Sequence, residues 1–167
     1  MPDEEWETRL ADLWAAFDDC PEDEFVSLMD GLTAELPPGD GVARFERAAA
    51  RDATDRSDLA VPLYREALDL GLSGERRRRA VIQLASSLRN LGRADESVTL
   101  LEAELGRGSD HLDDAVRGFL ALALADTGRA REGLSVALGA LAAHLPRYQR
   151  SLANYARLLP EEQPAGD

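Results

Sequence analysis

Apolar residues along the middle of the chain recur three and four positions apart, the spacing of one face of an α-helix. Val81, Ile82, Leu84, Ala85, Leu88 and Leu91 form one such series, and Val116, Phe119, Leu120, Ala123 and Leu124 form another. Ala60, Val61, Leu63, Tyr64, Ala67 and Leu68 form a third. The pattern predicts helices throughout, with no period-two run that would mark a strand. On the N-terminal side, residues 3–18 and 22–36 read as two helices divided by Pro21, and Leu36-Pro37-Pro38-Gly39 stops the second. Residues 147–159 read as a last amphipathic helix through Tyr148, Leu152, Tyr155, Ala156 and Leu159, and 161–167 as a flexible tail. About nine helices are expected.

The helical segments repeat. Gly92-Arg93-Ala94-Asp95-Glu96 returns 36 residues later as Gly128-Arg129-Ala130-Arg131-Glu132, and 37 residues before Gly92 a weaker copy opens at Asp55, with Asp in place of the turn glycine. Small residues stand in the middle of each first helix (Ala48, Ala85, Ala121) and early in each second helix (Ala60, Ser97, Gly133). Ala67 and Ala140 take a later small position. Small side chains belong where paired helices approach closely, because added bulk there costs about 1–3 kcal/mol. Glu104 departs from the pattern at the third small position of the middle copy, and no proline closes a repeat.

These residues resemble the tetratricopeptide repeat, two antiparallel helices joined by a tight turn. The resemblance implies an all-α, right-handed α-α superhelix, degenerate and of a bacterial, even actinobacterial, kind. It divides the chain into an acidic helical pair over 1–40, three repeats over about 41–74, 75–110 and 111–143, and a capping helix over 144–160, all in one structural domain. It also implies that the first helix of each pair lines a concave surface that holds another molecule.

Composition narrows the function. All 19 basic residues are arginine, as a GC-rich coding genome would produce, so any mechanism that needs a lysine nucleophile, Schiff base or phosphate-loop lysine is excluded. Net charge is −13 and unevenly placed: residues 1–40 hold 13 acids against Arg9, and residues 41–167 hold 19 acids and 18 arginines. Such acidity disfavours nucleic acid and anionic membrane as partners. The lone Cys20, the charged N-terminal residues and the lack of a long apolar run lead us to expect a cytoplasmic protein.

Candidate chemistry is that of binding. Arg79, Gln83, Ser86, Arg89 and Asn90 fall on the less apolar face of the middle first helix, offering guanidinium and amide groups that suit carboxylates or peptide backbone. Arg44, Arg47 and Arg51 form a similar row one repeat earlier. Arg76 to Arg79 crowd a helix start, where positive charge opposes the dipole. The acidic 1–40 segment, an external acidic ligand, or Glu75 and solvent can compensate them. Trp6 and Trp14 read as the anchor of the first helix, and Tyr148 and Tyr155 as core of the last. His111, His144 and Cys20 lack ligand neighbours, and 18–24 reads as a solvated acidic turn, so no metal, cofactor or catalytic group is expected. The expected function is a non-enzymatic adaptor or scaffold holding a protein or peptide that is acidic or ends in a free carboxylate. A regulatory subunit for a transcription factor or signalling enzyme, and a structural homodimer, are the alternatives.

Overall fold

The structure, a computed structural model, describes residues 2–160; the expected tail over 161–167 lies outside them. Among the described residues there are nine α-helices, one short 3-10 turn and no strand. The chain forms two compact units, Met1–Ser87 and Leu88–Asp167.

In the first unit, α1 (Glu4–Ala15) and α2 (Glu22–Thr33) are joined through a 3-10 turn, Phe17–Asp19. Asp3 caps α1 by accepting the Trp6 amide at 2.9 Å, and Glu4, Glu5 and Glu7 suit the positive end of its dipole. Both helices are shorter than the apolar pattern suggests, because Ala16 leaves helical geometry and Thr33 turns its hydroxyl back to the Met29 carbonyl at 2.8 Å. Trp6, Leu10, Phe25, Met29 and Leu32 share one core with Ala50 of the next helix, so the acidic pair is integral to the unit. Trp6 is buried and its indole N–H donates to the Leu32 carbonyl at 3.0 Å. Trp14 is half-buried, with its ring centroid 5.0 Å from that of Phe25.

α3 (Gly41–Ala53) and α4 (Ser57–Asp69) form a closely packed hairpin, followed by α5 (Gly74–Asn90), whose last three residues are counted with the second unit. Ala48, Ala60, Ala67 and Ala85 are fully buried. The connecting turn is built on Asp55, which adopts a left-handed φ of 56°. The Arg56 amide then reaches back to the Arg51 carbonyl at 2.8 Å, closing a Schellman-type end.

In the second unit, α6 (Ala94–Leu105), α7 (Asp113–Asp126), α8 (Ala130–Ala142) and α9 (Gln149–Leu158) follow one another, each packed on the next. Its turns reproduce the Asp55 geometry: Gly92 and Gly128 have φ of 75° and 81°, and Arg93 and Arg129 donate to Leu88 and Leu124 at 2.9 and 2.8 Å. The rest of the repeated pentapeptide now has a physical reason. Arg93 chelates Glu96 at 2.6 and 2.7 Å, and Arg129 chelates Glu132 at 2.9 and 2.6 Å, fixing the first turn of α6 and of α8. Ser97 and Gly133 are buried and Ala121 nearly so, whereas Ala140 is half-buried.

The last helix differs from expectation. Its covered stripe is Leu152, Ala156 and Leu159, while Tyr148 and Tyr155 are 77% and 68% exposed rather than core. Tyr148 is the residue before the helix, at φ 68°, and that left-handed turn sets the helix phase so that neither ring points inward.

Candidate functional site

The first unit positions the arginines of α3 and α5 in two different ways. Those of α3 are engaged by neighbouring helices. Arg51 binds both oxygens of Asp30 on α2 at 2.9 and 2.8 Å, and Arg47 donates to the Thr33 hydroxyl at 2.8 Å and lies 3.5 Å from Asp30. Arg44 pairs with Glu66 of α4 at 2.9 Å. At the start of α5, Arg76 is held by both oxygens of Glu7 on α1, at 2.9 and 2.5 Å, and by Glu46 at 3.1 Å. The acidic N-terminal pair therefore supplies carboxylates to Arg47, Arg51 and Arg76, and Asp23 does the same for Arg56. Arg51 and Arg76 each hold a carboxylate with two prongs, the geometry in which a guanidinium–carboxylate pair is strongest, and Arg47 shares Asp30 with Arg51.

Arg79 is different. It is exposed, and among the described residues no carboxylate lies within 4.0 Å of it. Its guanidinium lies over the ring of buried Phe45, 5.4 Å from the centroid, a cation–π seat that orients the side chain, while its charge also acts on the buried Glu46 carboxylate from beyond ion-pair distance. One and two turns further along α5, Gln83 and Ser86 are half-buried on the same side. Within the second unit, Asn90 is exposed and Arg89 pairs with Asp126 at 2.6 Å. Of the eight expected ligand residues, the first unit thus brings Arg79, Gln83 and Ser86 onto one helix face and turns Arg44, Arg47 and Arg51 to other helices.

Beneath that face lies a polar cluster that the apolar pattern conceals. Ser87 donates to Asp52 at 2.6 Å, and the Tyr64 hydroxyl stands 3.4 Å from Asp52 and 3.3 Å from the Gln83 amide oxygen. One phenolic hydrogen serves one acceptor, so turning the Gln83 amide about lets its NH2 donate to Tyr64 while Tyr64 donates to Asp52. Burial pushes the Asp52 carboxyl and the Tyr64 phenol up, against the hydrogen bonds that favour the ionised Asp52. Gln83 is therefore tied into a rigid network, which fixes the amide it presents. Glu46 is a second buried acid, taking hydrogen bonds from Trp14 at 3.2 Å and from Arg76; burial raises its pKa more than those partners lower it. Its place at the spacing of Ala43 and Ala50 on the apolar face of α3 is the signal that marks it in the sequence.

A cavity of about 490 Å³ opens elsewhere in the first unit, between Glu7, Asp40, Leu72 and Arg76. Its only arginine is already doubly paired, so it offers a carboxylate nothing that the Arg79 face does not offer better.

Successive helix hairpins joined by turns of one geometry and packed on small residues are the marks of a helical repeat protein. The sequence pattern of the tetratrico peptide repeat family matches residues 41–159, more than half of the chain. The chain belongs to this family. No curated protein and no solved structure matches it. Tetratrico peptide repeat domains are generally non-catalytic modules that bind proteins or peptides. The match begins at the first residue of α3 and ends one residue beyond α9, so α1 and α2 lie outside it. Among the described residues no helix is long and apolar enough to cross a membrane.

Proposed function

We propose that this protein is a non-enzymatic adaptor that holds a segment of another protein, and that Arg79, Gln83 and Ser86 of α5 receive a carboxylate and the backbone beside it. The observation that carries this reading is the state of Arg79. It is a preoriented, exposed guanidinium whose neighbours Arg44, Arg47, Arg51 and Arg76 already lie against carboxylates. The first unit carries 20 acids and 10 arginines, so long-range attraction does not bring an acidic segment in, and recognition has to be local. A charge-assisted hydrogen bond formed here contributes about 1.5–3 kcal/mol, roughly ten- to hundredfold in affinity.

The test is selection of random peptides with free C-termini on the whole chain, followed by binding of the recovered peptides to Arg79→Ala. The reading expects acid-bearing peptides whose affinity falls at least about tenfold in the variant and also on C-terminal amidation or Asp/Glu neutralisation. Peptides without acids, or affinities untouched by Arg79→Ala, contradict it.

A further inference from the structure

The most exposed aromatic surface of the protein is on α9. Tyr155 and, one turn before it, Ser151 are exposed on one side of the helix, and Tyr148, just before the helix, is exposed as well. The helix is fixed in place: Gln149 donates to the Leu145 carbonyl at 2.8 Å, and Arg131 of α8 to the Leu159 carbonyl at 3.0 Å. The exposure of the rings is thus a property of an ordered helix and not of a frayed end. Tyr148 is moreover held at φ 68°, a region that glycine or asparagine occupies more cheaply, so a large aromatic there is kept against a local backbone cost. Arg147, Arg150 and Arg157 flank the rings, all exposed, and among the described residues none has a carboxylate within 4.0 Å. Exposed tyrosine and arginine together are the residues that anchor protein interfaces.

The complementary surface is in the same sequence. At the 3-10 turn and the first turn of α2, Asp18, Asp19, Glu22, Asp23 and Glu24 are exposed, and among the described residues only Asp23 is paired with an arginine, Arg56. Next to them α2 exposes Leu28, 49% accessible, and at Gly31 nothing stands within 4 Å of where a Cβ would be. Glu24, Leu28 and Gly31 are four and three residues apart, which lays an acid, an apolar side chain and an unobstructed glycine along one face. A tyrosine ring can lie against Leu28 there, and arginines suit the acids beside it. Two copies of α9 facing each other would instead set three arginines against three, so a symmetric contact through α9 is disfavoured.

We propose that the exposed α9 surface around Tyr155, Arg150 and Arg157 docks on the acidic α2 surface of a second copy of this chain, basic side chains on one copy meeting carboxylates on the other. A ten-residue helix is about 15 Å long, which places the interface at the small end of the range and its affinity in the micromolar regime or weaker. Each copy carries −13, so association needs enough salt to screen the repulsion between whole molecules, about 0.15 M, and fails near 1 M, where the contact itself is screened.

Sedimentation equilibrium on the full chain over roughly 0.01–1 mM tests this. Average mass should rise above that of the monomer at about 0.15 M salt and return to the monomer at about 1 M. The triple variant Arg150→Ser, Tyr155→Ser, Arg157→Ser and the triple variant Asp19→Asn, Glu22→Gln, Glu24→Gln should each stay monomeric, with the circular dichroism of the parent. Mixed in equal amounts they should form a 1:1 complex and stop there, because each retains one intact surface. A protein that stays monomeric throughout, or variants that still self-associate alone, would overturn the proposal.

Discussion

At Gly133 the backbone of α8 closely approaches that of α7. A Cβ built there would stand 2.5 Å from the backbone oxygen of Ala121 and 3.4 Å from the Leu124 Cβ. The obstructing atom is main chain and cannot rotate away. Gly133→Ala must therefore push α8 off α7 by most of an ångström along a closely packed hairpin. Overpacking of this kind costs about 1–3 kcal/mol, set against a gain of about 1 kcal/mol from the better helix propensity of alanine. Gly139 lies in the same helix, exposed, with nothing within 4 Å of its Cβ position, so Gly139→Ala reports the propensity gain alone. Urea titrations followed by circular dichroism should place Gly133→Ala about 1–3 kcal/mol below Gly139→Ala, the two lying on opposite sides of the parent or nearly so. If Gly133→Ala is as stable as Gly139→Ala, the close approach of α7 and α8 is wrong, and with it the reason for the small residue.

Three further outcomes follow from named contacts. Asp55→Gly should stabilise the first unit by about 0.5–1 kcal/mol in urea, since glycine adopts φ 56° without the Cβ penalty, whereas Asp55→Ala should not. Asp30→Asn removes the carboxylate shared by Arg47 and Arg51 at a partly exposed position and should cost about 0.5–1.5 kcal/mol in the same assay. Burial raises the folded-state pKa of Glu46, so its relative stabilisation is complete below the unfolded carboxylate value and is lost as pH rises through the folded one. Thermal melts of the parent and Glu46→Gln should therefore show the parent gaining on the variant as pH falls from 8 to 4, by about 2–4 °C per kcal/mol of linkage; a pH-independent difference contradicts the burial of this acid.

Much of the fold was legible because the repeat carries its own turn chemistry. Gly92 and Gly128 announce left-handed turns, and the arginine and glutamate that follow announce the pair that starts the next helix. Asp55 was readable for the same reason, as a residue that tolerates that geometry. The site was legible only in part. Helical spacing puts Arg79, Gln83 and Ser86 on one side of α5, but it cannot say which arginines find carboxylates, because Asp30 and Glu7 come from helices far away in sequence. Charge counting identified the acidic segment without showing that Phe25 and Met29 root it in the core, which makes its removal an unfolding event and not the opening of a groove. The tyrosines of α9 were misplaced because periodicity assumes that the helix begins in phase, and the left-handed residue at Tyr148 resets it. Glu46 and Asp52 were passed over because a lone acid on a helix is by default a solvated one.

The central claim is that the Arg79 face of α5 is where this protein holds its partner. Chemical-shift mapping on the full chain, with an acid-bearing peptide recovered by selection, tests it most directly. The account predicts the largest perturbations at Arg79, Gln83 and Ser86, with the Arg79 side-chain signal among them and all of them lost in Arg79→Ala. Perturbations centred on other helices, or a pattern that survives Arg79→Ala, would contradict it.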